Sequence, residues 1–395
     1  MSKRLPFLIQ LLPVFFGFFI MGFADVVGIS ANYIKRDFSL SDTVTNTLPF
    51  MVFLWFAVFS IPTSMLMNKI GRKNTVLLSF VISAVSLILP LLSYSFPVIL
   101  FAFCLLGIGN TVLQVSLNPL LAGMVDGSRL ASSLTLGQFI KAIASFLGPI
   151  ITAFAVSKWG NWKLIFPLFG SVTLLSAIWL FATSVKRESA PVATTTFNSC
   201  FRLLANKQIL MLFLGILFLV GVDVGLNITL PKILMERCGV ELAEAGLATS
   251  TYFAARTVGS LCGSFLLARI SGRRFMIITM VLAIICTLAL MFVSQIQVLH
   301  VLIFTIGLCI ANVFSIIFAQ ALQREPEKTN EVSGLLIMGV AGGALLPFIA
   351  GYVADVVGGQ NGAIAVLIAG ILYMLVCGIS MKEETQPELE LKSSQ

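Results

Sequence analysis

At 395 residues, 58% hydrophobic and 11% charged, the chain carries less than half the charge of a soluble domain, which is about a quarter charged. Its 33 Phe and mean hydropathy of +1.02 exceed what a water-soluble core can hide. A secreted disulfide scaffold, a disordered chain and an ordinary cytosolic enzyme are therefore excluded, leaving an all-α polytopic membrane protein.

A bilayer is crossed by about 20 mostly apolar residues, and such runs recur near 7–34, 44–67, 74–93, 97–123, 131–157, 163–185, 208–234, 244–268, 274–294, 298–322, 332–356 and 362–381. These predict twelve transmembrane helices. The first run is far longer than the apolar core of a cleavable signal. The longest polar interval, Val185 to Gln208, contains Lys186-Arg187-Glu188 and Thr194-Thr195-Thr196. It divides the chain into an N-terminal six-helix bundle over 1–185, a central loop over 186–207, a C-terminal six-helix bundle over 208–381 and a tail over 382–395.

The net charge of +8 reads as topology rather than as a nucleic-acid surface, because Lys and Arg mark cytoplasmic loops. With the N-terminus inside, only Lys35, Arg36, Lys158, Lys163, Lys232 and Arg237 of the 25 Lys and Arg fall outside, and only Lys141 and Arg256 fall within spans. Both termini and the central loop are expected to be cytoplasmic, in a plasma (inner) membrane. The seven cysteines are scattered without a CxxC pair, which points to unpaired thiols rather than disulfides or metal.

The halves repeat. Gly22-Phe23-Ala24-Asp25-Val26 is echoed by Gly221-Val222-Asp223-Val224, and Pro149 by Pro347, the acids and the prolines each 198 positions apart. Gly71-Arg72-Lys73 is echoed by Gly272-Arg273-Arg274. A duplicated six-helix unit is the pattern of transporters that bind near the midplane between their repeats.

Twelve spans, a long middle loop and the stretch Ser64-Met65-Leu66-Met67-Asn68-Lys69-Ile70-Gly71-Arg72-Lys73 between spans 2 and 3 resemble the major facilitator superfamily. Asn68 stands where that signature usually has aspartate. A narrower resemblance is to the fucose–galactose–proton symporters. It rests on Gln114 to Asn118-Pro119 in span 4, and on Ser333-Gly334 through Gly342-Gly343 to Asp355 in span 11. The resemblance implies two pseudo-symmetric bundles, a sugar substrate and proton coupling. The sequence departs from that family at Gln114, where an acid is usual, and at Lys141, three residues after the matching Gln138, where asparagine is usual. The family's span 1 acid falls one turn beyond Asp25, near Gly28.

Four charges lie mid-span: Asp25, Lys141, Asp223 and Arg256. Each costs about 2.5–3.5 kcal/mol at a helix centre on insertion scales, so they must pair, face water or lose their charge. Two acids and two bases balance. The superfamily arrangement implies Asp25 beside Lys141 and Asp223 beside Arg256, with Tyr252 one turn from Arg256 and able to orient it. Asp25, then Asp223, are the candidate proton carriers.

Neutral amides form stripes nearby. Asn110, Gln114 and Asn118 share one face of span 4, Gln138 and Lys141 one face of span 5, Asp223 and Asn227 one face of span 7, and Asn312 sits midway along span 10. Amides both donate and accept, as sugar hydroxyls do. The substrate-binding candidates are Gln114, Asn118, Gln138, Lys141, Asn227, Arg256 and Asn312, set against the plainer reading of interhelical hydrogen bonds. Trp55 is a candidate stacking residue, and the single histidine, His300, reads as interfacial.

No P-loop, zinc spacing or Ser/His/Asp set occurs. No enzyme activity, metal or cofactor is expected, and energy must come from a gradient. The expected function is proton-coupled uptake of a sugar or related polyhydroxylated solute by alternating access. Partners would be that substrate, protons and membrane lipid, with no nucleic acid and the chain acting as a monomer. The alternatives are a carrier of an anionic sugar acid or carboxylate held by Lys141 and Arg256, a drug or metabolite efflux antiporter, and a non-transporting receptor.

Overall fold

The computed structural model describes residues 4–40, 44, 47–183, 196–240, 245 and 247–381. Residues 186–195 of the expected central loop, Lys186 and Arg187 among them, and the tail beyond Met381 lie outside the described residues.

Every expected span is helical. Span 1 is Arg4–Met21 and Val27–Phe38, joined by the 3₁₀ turn Gly22–Val26. Spans 2 to 6 are Thr47–Ile70, Arg72–Leu92, Phe96–Ala122, Leu130–Trp159 and Ile165–Ala182. After the short helix Phe197–Arg202, spans 7 to 9 are Lys207–Cys238, Leu247–Leu266 and Gly272–Ala289. Span 10 is Ile296–Ile310 continued by Val313–Arg324, span 11 is Thr329–Met338 continued through Gly339–Ala341 into Gly342–Val357, and span 12 is Gln360–Ser380.

Ten of the helices among the described residues are long and apolar enough to cross a membrane. The two expected spans that fall short are informative. In span 1 the described apolar stretch is Gln10–Asp25. Span 8 is diluted by Thr249, Thr251, Arg256, Thr257, Ser260 and Ser264. Lipid tolerates no unpaired backbone polar group, so a broken or polar helix survives only where protein or a wet cavity covers it. Each of these two spans carries part of an ion pair.

The described residues fall into two compact units. One comprises 1–124, 140–206 and 325–341, the other 125–139, 207–324 and 342–395. In the first, span 3 packs along spans 4 and 6, and span 2 along span 4. Buried hydroxyls there return to their own helix: Thr111 to the Gly107 carbonyl, Ser116 to Val112, Ser79 to Val76 and Ser86 to Ser83. Such back-bonding satisfies the hydroxyl locally, which removes these polar positions from the list of candidate site residues. In the second unit, spans 7, 11 and 12 form a mutually packed triangle, and span 8 packs along span 10.

One corner of the first unit is tied together where the end of span 1 meets the residues just after span 3 and just before span 6. Asp37 accepts from the Tyr94 hydroxyl at 2.7 Å and from Trp162 Nε1 at 2.9 Å, with Arg36 at 3.4 Å. Trp162 stacks on Tyr33 at 5.3 Å, and Lys163 Nζ sits 3.2 Å from the centre of the Tyr94 ring. Burial pushes the Asp37 carboxyl up, but hydrogen bonds from Trp162, Tyr94 and Arg36 together hold it below the usual carboxylate value. Burial and the Asp37 hydrogen bond push the Tyr94 phenol well up.

Candidate functional site

The four intramembrane charges are paired, acid with base, within each unit. Asp25 lies in the 3₁₀ turn of span 1, and its Oδ2 is 3.4 Å from Lys141 Nζ. Ser145, one turn beyond Lys141, donates to the same Oδ2 at 2.6 Å. The approach depends on Gly22. A Cβ there would sit 2.6 Å from the Lys141 carbonyl oxygen and 2.7 Å from Ala144 Cβ, so only glycine lets span 1 come this close to span 5. The pair is partly open, with 33% of the Asp25 side chain and 23% of the Lys141 side chain exposed.

The pair in the second unit is closed more tightly. Asp223 on span 7 is held through Oδ2 by Arg256 Nη1 and through Oδ1 by the Tyr252 hydroxyl at 2.6 Å. Tyr252 is fully buried. The sequence suggested that Tyr252 would orient Arg256; instead its hydroxyl goes to Asp223, so both residues grip one carboxylate from a single face of span 8. Arg256 cannot be deprotonated in proteins, and a carboxylate satisfied at both oxygens by charged and neutral donors is a fixed element.

The amides distribute around these pairs. Asn118 is fully buried and donates to the Gln114 carbonyl at 2.8 Å, one turn back, while Gln114 itself is 7% exposed. Asn227 donates to the Asp223 carbonyl at 3.0 Å. Asn312 lies at the interruption of span 10, donates to the Gly259 carbonyl at 3.0 Å and fills the space over Gly263, where any Cβ would collide with its amide. Asn312 is thus engaged in packing span 10 on span 8. Gln138 is half-buried on span 5, one turn before Lys141.

These amides keep unused capacity. Among the described residues, Oδ1 of Asn110, Asn118, Asn227 and Asn312 and Nε2 of Gln138 have no hydrogen-bond partner. A buried amide left unsatisfied costs about 1–3 kcal/mol, and a ligand rich in hydroxyls relieves that cost. Trp55 stands against Phe59 edge-to-face at 5.4 Å, and its Nε1 is likewise unpartnered. His300 bonds Thr251 at 3.0 Å between spans 10 and 8. Ser145 was not singled out from the sequence. The available signal was its i+4 spacing from Lys141, but a serine in an apolar helix is ordinarily a back-bonding residue.

Comparison with known proteins agrees with this architecture. The sequence profile described as the Major Facilitator Superfamily matches residues 14–339 and 212–395. A glucose/galactose transporter of Brucella abortus is 25% identical over 364 residues, covering 86% of each chain. A putative glucose/galactose transporter of Helicobacter pylori is 26% identical over 360 residues, covering 86% of this chain and 87% of the other. The crystal structure of the E. coli fucose:proton symporter superposes with a TM-score of 0.83 at 14% identity, covering 96% of this chain and all of that one. At that identity the superposition speaks for the fold.

Proposed function

Because the chain belongs to the Major Facilitator Superfamily, we propose that it is a secondary active transporter that takes up a sugar together with protons by alternating access. The six-helix halves 1–185 and 208–381 are the alternating bodies, and both termini face the cytoplasm across the inner membrane. The glucose/galactose transporters to which it is similar along 86% of its length support the substrate class. So does the chemistry of the amides: Gln114, Asn118, Gln138, Asn227 and Asn312 supply neutral donors and acceptors, and Lys141 and Arg256 add charged donors. No metal or cofactor takes part.

The observation that carries the mechanism is the difference in closure between the two ion pairs. A proton carrier must exchange with water and must have a partner that responds. Asp25 is a third exposed and holds Lys141 at 3.4 Å, longer than a charge-assisted hydrogen bond of about 2.7–2.9 Å. Protonating Asp25 removes the charge that holds the Lys141 ammonium, which is then free to reorganise around substrate. Coupling arises because the two facing states bind proton and sugar with different affinity. Asp223, gripped by Arg256 and Tyr252, is the second candidate carrier.

Reconstituted protein should accumulate glucose, galactose or fucose when a pH gradient, acid outside, is imposed. Asp25→Asn should retain exchange of labelled substrate but lose pH-driven accumulation. Accumulation unchanged in that variant removes Asp25 from the coupling step. Absence of exchange with any of the three sugars, in protein that exchanges sugar acids, replaces the neutral-sugar reading with the anionic one.

A further inference from the structure

The second unit contains a cavity of about 140 Å³ in the triangle of spans 7, 11 and 12. Its walls are one face of span 7 (Gly225, Ile228, Thr229, Lys232), one face of span 11 (Pro347, Gly351, Ala354, Asp355) and the start of span 12 (Gln360, Ala363). Span 12 has 21 residues and so rises about 30 Å, the thickness of the hydrocarbon core. Gln360, its first residue, stands at the end of the unit where spans 7 and 11 finish, so a bilayer matched to this helix would bring its headgroups to the cavity.

The lining carries one cation and one anion on different helices. Lys232 and Asp355 are exposed at the mouth of this cavity, make no ion pair with each other, and have no hydrogen-bond or ion-pair partner among the described residues. Glu236 is already committed, accepting from the Gln360 backbone N–H at 3.0 Å. The room is held open by small residues. A Cβ added at Gly351 would meet nothing within 4 Å.

The repeat supplies an internal control. Trp162 lies 198 positions before Gln360 and likewise begins the last span of its half. There the corner is plugged: Trp162 is 3% exposed, stacks on Tyr33 and donates to Asp37. Ile34, the counterpart of Lys232, is fully buried. Where the first half places an aromatic plug and an isoleucine, the second places an amide, a lysine and a cavity.

We propose that this cavity binds a phosphoethanolamine group, with the phosphate on Lys232 and the primary ammonium on Asp355. The volume corresponds to about ten water-sized spheres, which suits a headgroup and not a larger solute. A ligand carrying both signs satisfies both side chains, whereas a simple anion leaves Asp355 opposed. A primary ammonium donates hydrogen bonds to a carboxylate, and a quaternary one cannot. Thr229 and Gln360 supply a hydroxyl and an amide for the remaining oxygens. Both phosphatidylethanolamine of the adjoining leaflet and free glycerophosphoethanolamine carry this chemistry. The assignment is independent of the sugar reading, and its readout requires no transport.

The test uses the full chain in nanodiscs of phosphatidylcholine alone or doped with phosphatidylethanolamine or phosphatidylglycerol, with glycerophosphoethanolamine added in a separate arm. Thermal unfolding should rise with the ethanolamine lipid above both other compositions. Lipid occupancy by native mass spectrometry should fall about a hundredfold in Lys232→Gln/Asp355→Asn, the loss expected from two charged hydrogen bonds. Gly351→Leu, which fills the cavity without touching either charge, should lose the same response. A rise with the soluble compound and none with lipid identifies the free zwitterion as the ligand and supports the site. An equal rise with phosphatidylglycerol, an undiminished response in the double variant, or no response in any arm overturns the proposal.

Discussion

The acids of the two intramembrane ion pairs occupy matching places in the repeat, but their bases do not, Lys141 lying on span 5 and Arg256 on span 8. Asp25 and Lys141 meet at 3.4 Å on a broken helix, with a serine as the only further donor described. Asp223 is clasped at one oxygen by a guanidinium and at the other by a fully buried phenol. The duplicated unit thus kept its acid while each half draws the base from a different helix. The physical reason for the difference in closure lies in the partner. A lysine is a point charge on a flexible stem, whereas arginine presents a planar fork that fixes geometry. A 3₁₀ break in span 1 also leaves backbone free to move, whereas span 7 runs unbroken through Asp223 from Lys207 to Cys238.

If that contrast holds, removing the bases will have unequal consequences. Arg256→Ala leaves Asp223, 18% exposed, with only the Tyr252 hydroxyl, and should destabilise the chain by about 2 kcal/mol, measured by denaturant unfolding in micelles. The neutral double variant Asp223→Asn/Arg256→Gln should recover most of that loss. Equal stability of Arg256→Ala and the parent would deny this pair the role of a brace. Tyr252→Phe should cost about 2 kcal/mol by orphaning Oδ1, with the loss vanishing on an Asp223→Asn background, as a double-mutant cycle would show.

Lys141→Ala should cost about 1 kcal/mol or less, since both partners reach solvent, yet it should abolish pH-driven accumulation. Loss of transport that returns in Asp25→Asn/Lys141→Ala would instead make this pair a second brace. The smallest effect concerns Asp37. Its carboxyl is held below the unfolded value of 3.8, so its contribution is present above that pH and is lost as the pH falls through the folded value. The unfolding midpoint should therefore decline below about pH 4 less steeply in Asp37→Asn than in the parent.

Much of this was legible in the residues alone. Charge scarcity and apolar runs yield the helices because burial in lipid demands them, and the echo of Asp25 in Asp223 reveals the duplication. Four ionisable residues in apolar helices announce their own importance, since each is costly to insert there. Less was legible about the amides. Asn312 stands out in the sequence as a mid-span amide, but that its Nδ2 is spent on the Gly259 carbonyl while its Oδ1 stays open depends on what stands opposite. Ser145 was silent for the same reason. The corner at Gln360 was invisible, because a cavity is defined by what fails to fill it.

By itself the sequence determined the membrane environment, the helical class, the repeat and the sign of each buried charge, all of which follow from local composition and solvent. Only the tertiary structure decided how tightly each pair closes, that Tyr252 serves Asp223 rather than Arg256, and that Lys232 and Asp355 line one chamber. Those outcomes depend on distances between segments far apart in the chain, and such distances are set by the packing of whole helices rather than by any stretch of residues.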